Sequence, residues 1–472
     1  MLDIWNELPK KKILALGALL FCTMINQVIL ANLGATLLVS SAGPEAPSFV
    51  TITIVIPALT AVLILFKKLR QWQRKELNFW LFITLFILVV MTFAFYIYPN
   101  QAHIHPSPET VSRWTAAYPS LWVFWNILGS WTNALYFIVA TLWPGFAFGI
   151  IFWQIADDIV IKKNIVFPVF GFFSAIANLI AGVMMQQIIS SSDSWGQSMI
   201  TASVIFMAVC FVIIAIYGKI NLSYKRHSVF VQELPDVLQN ESKNAEGSLL
   251  KDIMVMFKDR ALFSMFLTFA ALGFILNGAD LLWKSEIKEL YPEPNDFGLF
   301  MSYYEILYGF IAGGLSFVAV FALSKAKWSF KSRTVIYGAL FVYSLFFVFY
   351  AAKYDLFGFD MAFLQVSQLT LIWIATVVNT TANAAEYQIL RPNLKLCYSK
   401  MSPQTAMIGR TVNEVIGIRT GMVLGALSVQ LTLAYFKSVP ASAMAIMGII
   451  ATFVLVRFIG VCILAPTLKL DD

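Results

Sequence analysis

The chain has 472 residues, of which 59% are hydrophobic and only 12% charged, with a mean hydropathy of +0.76 and a formal net charge of +7. A soluble domain carries about 25% charged residues, so the composition excludes an ordinary soluble fold and indicates an all-α polytopic membrane protein. The positive balance suits cytoplasmic loops facing anionic lipid, and an anionic substrate; no nucleic-acid motif is present.

The N-terminus "MLDIWNELPKKK" precedes an apolar run from Ile13 to Ser40. A signal-peptide core is about 7–15 residues, so this run is expected to be a retained first span. At about 20 apolar residues per span, the chain predicts about twelve spans. The first six fall near 13–39, 48–66, 79–98, 131–156, 165–189 and 198–217. The second six fall near 260–283, 299–324, 334–352, 360–385, 408–434 and 441–465. The segment "LWVFWNILGSW" at 121–131 is too short to span and reads as an interfacial helix leading into the fourth span. Lysine and arginine concentrate in loops 67–77 and 325–333, and are absent from 40–47 and 190–197. The positive-inside rule then makes both termini cytoplasmic.

A polar interruption at 218–259 divides the chain into an N-terminal six-helix bundle, 1–217, a cytoplasmic linker, and a C-terminal bundle, 260–472. Within it, "SLLKDIMVMFKD" at 248–259 has the pattern of an amphipathic surface helix. Six spans, a linker and six spans is the layout of the major facilitator architecture, in which substrate binds near the midplane between two rocking bundles.

Charge within a span is rare and usually faces a cavity or a partner. The first half offers only uncharged polar groups there: Asn26, Gln27, Asn32, Asn133, Thr141 and Asn178. In the second half, Asn277, Asp280 and Lys284 share one face of span 7. Glu305 lies about two turns into span 8 beside Tyr303, Tyr304 and Tyr308. Asn379, Asn383 and Glu386 share a face of span 10; for Glu386, near a helix end, solvation is the alternative to a cavity role. Arg410 and Glu414 form an i,i+4 pair in span 11, with Asn413 beside them and Arg419 further along; a plain interfacial pair is the competing reading.

The stripes Gly417–Gly421–Gly425 and Gly171–Ala175–Asn178–Gly182 predict close helix approach. Trp143-Pro144-Gly145 predicts a kink in span 4. Cys22, Cys210, Cys397 and Cys462 are scattered and read as packing residues, and His103 and His105 as a solvated loop pair without a third ligand.

"LLWKSEIKELYPEPND" followed by "FGLFMSYY" resembles the segment after the seventh span of the bacterial and plastid ATP/ADP translocases, the nucleotide transporter or Tlc family. Its pattern there is close to W-K-x-x-[LI]-K-E-L-Y-P-x-P-N-D. "FYIYPNQAHIHP", "LWPGFAFGIIFWQIADDI", "FPVFGFFSAIANLIAG" and "GRTVNEVIGIRTG" resemble further family segments, so the similarity spans nearly the whole chain. The resemblance implies a twelve-helix, major-facilitator-like carrier that exchanges nucleotides, most often ATP inward against ADP outward, without a bound cofactor or metal.

Departures from the family pattern cluster in the first half. Where the family's span 1 reads N-Y-x-I-L-R-D-T-K-D, this chain has "NQVILANLGA": Ala31, Asn32, Gly34 and Ala35 stand at charged positions. Thr141 replaces a span 4 glutamate, Asp280 replaces a span 7 glutamate, and Arg410 replaces the span 11 lysine. The resemblance therefore implies a substrate site carried by the second half. Arg410 would bind phosphate, and Asp280 would orient that cation or carry coupling charge. Asn277, Lys284, Asn379, Asn383 and Glu414 would supply polar contacts, and Glu305 would couple a proton. A triphosphate needs several fixed cations in a low-dielectric cavity, so a less charged substrate fits the altered first half better. The leading expectation is a monomeric secondary transporter of a nucleotide (ATP, ADP or a relative), embedded in the lipid bilayer of a bacterial inner membrane. The rivals are a proton-coupled carrier of a less charged metabolite on the same fold, and a transport-dead sensor read through the 218–259 linker. No nucleophile–base or metal constellation supports an enzyme.

Overall fold

The computed structural model describes residues 10–51, 75–147, 152, 163–228, 254, 256–321, 323, 326–356, 358, 364–402, 405, 409, 413 and 417–471. Every regular element among them is helical. The main ones in the first half are α1 (Lys10–Ala42), α2 (Ala46–Val50), α3 (Lys75–Thr92), α4 (Trp122–Gly129), α5 (Trp131–Phe146), α6 (Lys163–Ser190) and α7 (Trp195–Ser228). The second half contributes α8 (Arg260–Leu290), α9 (Pro294–Phe321), α10 (Trp328–Lys353), α11 (Gln368–Ala385), α12 (Ile418–Phe436) and α13 (Val439–Thr467). Seven described helices are long and apolar enough to cross a membrane, or eight if one bent pair is a single span. Most of span 2, the later part of span 4, the early part of span 11 and most of the linker lie outside the described residues.

Local chemistry sets the helix ends. Asp259 accepts from the amides of Ala261 and Leu262 at 2.9 and 3.0 Å and starts α8. Ser367 and Ser438 cap α11 and α13 in the same way. Two helices outrun their expected limits. α7 continues to Ser228, eleven residues past 217, into the region read as linker. α8 continues to Leu290 rather than stopping near 283, so Lys284, Glu286 and Lys288 are helical and partly or fully buried. The short helix preceding span 4 is present: Pro119–Gly129 and Trp131–Pro144 meet at 76°. α5 runs through Pro144 to Phe146.

The buried apolar side chains fall into two large clusters. One gathers Leu16, Ile29, Trp143 and Phe206 from α1, α5 and α7, with Phe86 of α3. The other gathers Met265, Trp283, Tyr350, Leu371 and Ile450 from α8, α10, α11 and α13. Leu88, Phe211, Phe310, Phe341, Leu431 and Leu455 stay exposed, as suits helices whose outer faces meet lipid.

Small residues let the halves approach. A Cβ on Gly182 would lie 2.8 Å from the Ile306 backbone, and one on Gly309 would lie 2.8 Å from the Ala175 carbonyl. The predicted stripe on α6 is therefore the seam against α9. In α12, Gly421 packs on the Ala270 backbone of α8, and a Cβ on Gly417 would lie 3.3 Å from Phe269. With lipid on the outside there is little hydrophobic drive between helices, so close backbone approach supplies the contact.

Candidate functional site

α8, α9 and α11 bring most of the predicted polar residues together. One helical turn apart, Lys284 Nζ and Asp280 Oδ2 are 2.6 Å apart. The Lys284 side chain is 10% exposed and the Asp280 side chain 38%, so the pair presents its carboxylate outward. On α9, Tyr304 packs against Trp283 with ring centroids 4.7 Å apart. The Asn383 amide of α11 reaches the Tyr304 hydroxyl at 3.4 Å and Asn379 Oδ1 at 3.5 Å. Both contacts are long, and both amides keep hydrogen-bonding capacity in reserve. Trp283 is fixed by its indole N–H on Thr376 at 3.0 Å. Tyr304 thus links α9 to α8 through Trp283 and to α11 through Asn383. Glu305 itself is half-buried and, among the described residues, makes no hydrogen bond or ion pair. The side chain of Asn277 and all of Arg410 and Glu414 lie outside the described residues, so these three expected site residues are not placed by this geometry.

Glu386 is neither solvated nor part of that cluster. It is 3% exposed, and Arg457 of α13 donates to its Oε2 at 2.5 Å. The Arg391 Nε lies 3.7 Å from the other carboxylate oxygen, and the Arg391 guanidinium stacks on Tyr387 at 4.0 Å. Beside the Glu386–Arg457 pair is a cavity of about 20 Å³, lined by Tyr343, Asn383 and the apolar faces of α8 and α10. That is room for about one water. Sequence reasoning missed Arg457, although a lone arginine in "FVLVRFIG" was a visible signal: an isolated charge in an apolar run needs a partner.

The resemblance-bearing motif is a junction. Glu286 is 1% exposed and accepts from Lys353 Nζ at 2.6 Å and from the Tyr354 hydroxyl at 2.7 Å. Lys288 Nζ donates to the Ser40 carbonyl at 3.2 Å and the Pro292 carbonyl at 2.5 Å. Ser40 lies in the last turn of α1, where carbonyls lack helical partners and a cation is favoured. Tyr291 stacks on Phe300 at 5.6 Å. The motif thus ties the end of α8 to α1, α9 and α10.

In the first half the altered positions have structural uses. A Cβ on Gly34 would sit 3.0 Å from Ala140 Cβ and 3.4 Å from the Phe137 backbone, so α1 and α5 close over that position. The Asn32 amide donates to the Gly298 carbonyl at the start of α9, at 3.2 Å. Ala31 is exposed and Ala35 buried. Thr141 bonds the Phe137 carbonyl of its own helix at 2.7 Å. His105 is held by Thr132 at 2.7 Å, and the four cysteines are free thiols. No metal-ligating group of three or more residues occurs among the described residues.

Long apolar helices, small-residue seams and a charged cluster deep in one half define a multi-pass integral membrane protein with a major-facilitator-like fold. A bacterial homologue of the iron transporter ferroportin, in its inward-facing state, superposes with a TM-score of 0.55 at 12% identity, covering 95% of this chain and 97% of that one. A D-xylose–proton symporter superposes at 0.53 with 14% identity, covering 95% and 96%. The chain belongs to the TLC ATP/ADP transporter family, whose model matches residues 5–466. It is 25% identical over 435 residues to ADP,ATP carrier protein 1 of Rickettsia conorii, covering 90% of this chain and 86% of that protein. It is 26% identical over 424 residues to ADP,ATP carrier protein 5 of Rickettsia prowazekii, covering 87% and 84%. The family consists of transporters, not enzymes.

Proposed function

We propose that the protein carries a nucleotide, or a closely related phosphorylated metabolite, across a bacterial inner membrane by alternating access. The observation that carries this reading is the family match over residues 5–466. The names of the relatives support ADP and ATP, or close relatives of them, as the substrate class. The moving parts are the bundle 1–217 and the bundle 260–472, joined by the 218–259 linker, with both termini cytoplasmic. The working unit is a monomer.

The substrate site is built on α8, α9 and α11. Asp280 and Lys284 form its charged pair, and Asn379 and Asn383 supply amides. Asn277, Arg410 and Glu414 complete it, with Arg410 on phosphate. Glu305, half-buried and without a hydrogen bond or ion pair among the described residues, is the group that couples a proton.

Uptake of labelled nucleotides into liposomes carrying the full chain tests this, with and without a proton gradient. Saturable uptake of a nucleotide that Arg410→Ala reduces at least tenfold is the expected result. Absence of uptake and of competition by every nucleotide overturns the reading, and unchanged uptake in Arg410→Ala overturns the site. The neutral first half favours a second reading, a proton-coupled carrier of a less charged metabolite; abolition of nucleoside uptake by Glu305→Gln, with nucleotides excluded, would select it.

A further inference from the structure

Charge inside a bilayer persists only with a partner of opposite sign or against water. Within α8 to α13, several described charges are matched inside the protein. Lys284 holds Asp280, Lys353 holds Glu286, and Arg457 holds Glu386. Lys288 is engaged by two carbonyls. Four half-buried charges of α8 to α13 have no side-chain hydrogen bond or ion pair among the described residues: Glu305 on α9, Arg419 in the first turn of α12, and Lys331 and Arg333 near the start of α10, in the stretch expected to be a cytoplasmic loop. Glu305 has a place in the coupling scheme above. Arg419 has none.

The position of Arg419 follows from how α12 crosses α8. Gly273 of α8 meets the Ile418 carbonyl and the Met422 amide, which sets Arg419 at the level of Gly273. Asp280 is two turns further along α8, about 10 Å at 1.5 Å per residue. Gly417 and Gly421 turn toward α8, whereas Leu424, Leu427 and Leu431 form the exposed outer stripe. At 100° per residue, Arg419 lies on the third face, with Ala426 and Gln430. Arg419 is itself half-buried, so its guanidinium is not simply hydrated at a helix end.

We infer that Arg419 is an anion-binding residue that takes a phosphate group of the substrate, about two turns from the Asp280–Lys284–Glu305 cluster. The inference rests on the transport reading above and adds the residue that distinguishes phosphorylated from unphosphorylated ligands. A guanidinium is permanently charged and offers a rigid fork of donors that matches a phosphate with two parallel hydrogen bonds. An elongated ligand then places its less charged end at the amides and carboxylates of α8, α9 and α11, and its anionic end at Arg419.

The test is competition against labelled uptake by the unlabelled nucleoside, mono-, di- and triphosphate of one base, using full-length wild type, R419K and R419Q in liposomes. R419Q is expected to weaken the phosphorylated ligands about tenfold to a hundredfold, the effect of losing a charge-assisted hydrogen bond, while the nucleoside competes as before. R419K keeps the charge without the fork and is expected to retain the phosphate preference at about tenfold weaker binding. Unchanged phosphate discrimination in R419Q overturns the inference, as does equal weakening of nucleoside and nucleotides, which signals a packing role. If R419Q does not fold, R419K decides: wild-type affinity for every phosphorylated ligand overturns the inference. If the wild type carries no nucleotide, the transport reading fails instead. Thermal stabilisation by inorganic pyrophosphate then becomes the measurement. Stabilisation of wild type but not R419Q upholds an anion site, and its absence from wild type removes the site too.

Discussion

In α1, α5, α6 and α7 there is no aspartate or glutamate, and some of the polar groups are held by neighbouring helices. Asn26 donates to the Phe206 carbonyl at 3.3 Å and contacts Cys210 Sγ at 3.2 Å, while Trp143 donates to the Thr23 carbonyl at 3.1 Å. In the second half, by contrast, there are three ion pairs, at Asp280, Glu286 and Glu386, and Glu305 and Arg419 make no hydrogen bond or ion pair among the described residues. The two halves share a helical plan and differ in how they handle polarity. A half whose spans carry only uncharged polar groups offers an anionic solute little. A half with reserve charge can recognise one. On the proposed reading, selectivity would be one-sided, with the first half as a neutral wall facing the second.

The largest test of that contrast is to orphan a charge in the second half. Arg457→Ala leaves Glu386 buried without its close partner, which costs about 3–5 kcal/mol. The thermal midpoint in detergent is expected to fall sharply, and the paired change Glu386→Gln with Arg457→Met should recover most of the loss. An unaltered midpoint in Arg457→Ala would show the pair to be energetically idle.

Next is the reverse experiment, forcing charge into the neutral wall. Gly34→Lys restores the residue type that the family pattern has there, but its Cβ meets Ala140 and Phe137. Overpacking of this kind costs about 1–3 kcal/mol, so folded yield is expected to fall and nucleotide uptake not to rise. Stronger uptake at normal yield would show the wall to be open.

A smaller effect is expected from Asn32→Ala, which removes one hydrogen bond between the halves at about 1 kcal/mol. Labelling of a cysteine placed at Ser194, near the start of α7, should speed up severalfold, with stability barely altered. An unchanged labelling rate would remove Asn32 from the closure between halves.

The smallest lies at the C-terminus. Burial nudges the Asp471 carboxyl upward, but hydrogen bonds from Ser329 and the charges of Lys327 and Arg333 outweigh it and hold the group below its ordinary value. A depressed carboxylate contributes stability above its unfolded pKa of about 3.9 and loses it as pH falls through the folded value. Wild type and Asp471→Asn should therefore differ slightly at neutral pH and converge below about pH 4. A difference that persists in acid would point to packing rather than charge.

Much of this was legible from residues alone. Apolar run lengths located the helices, and the glycine and alanine stripes on α6 and α12 marked real seams, because period and residue size are local properties. The cluster of Asp280, Lys284, Asn383 and Glu305 could be named because charge within an apolar run is conspicuous. Pairings across helices were not legible. Glu386 finds Arg457 71 positions away, and Lys288 finds Ser40 248 positions away, distances at which sequence pattern carries no register. The end of α8 was placed too early because Lys284, Glu286 and Lys288 look like loop residues until their partners on α1, α8 and α10 are known. Gly34 looked like a lost charge, and only the helix spacing showed why no side chain fits.

The crossing of α8 and α12 at Gly273 makes α8 a lever. From that fulcrum to Lys288 is fifteen residues, about 22 Å of rigid rod. A tilt of about 10° moves the far tip by about 4 Å, which is more than the hydrogen bond from Lys288 to the Ser40 carbonyl can follow. The same small rotation barely displaces Arg419 at the pivot. Such a tilt would release the clasp of Lys288 on α1 and leave the contact of Gly273 with α12 in place.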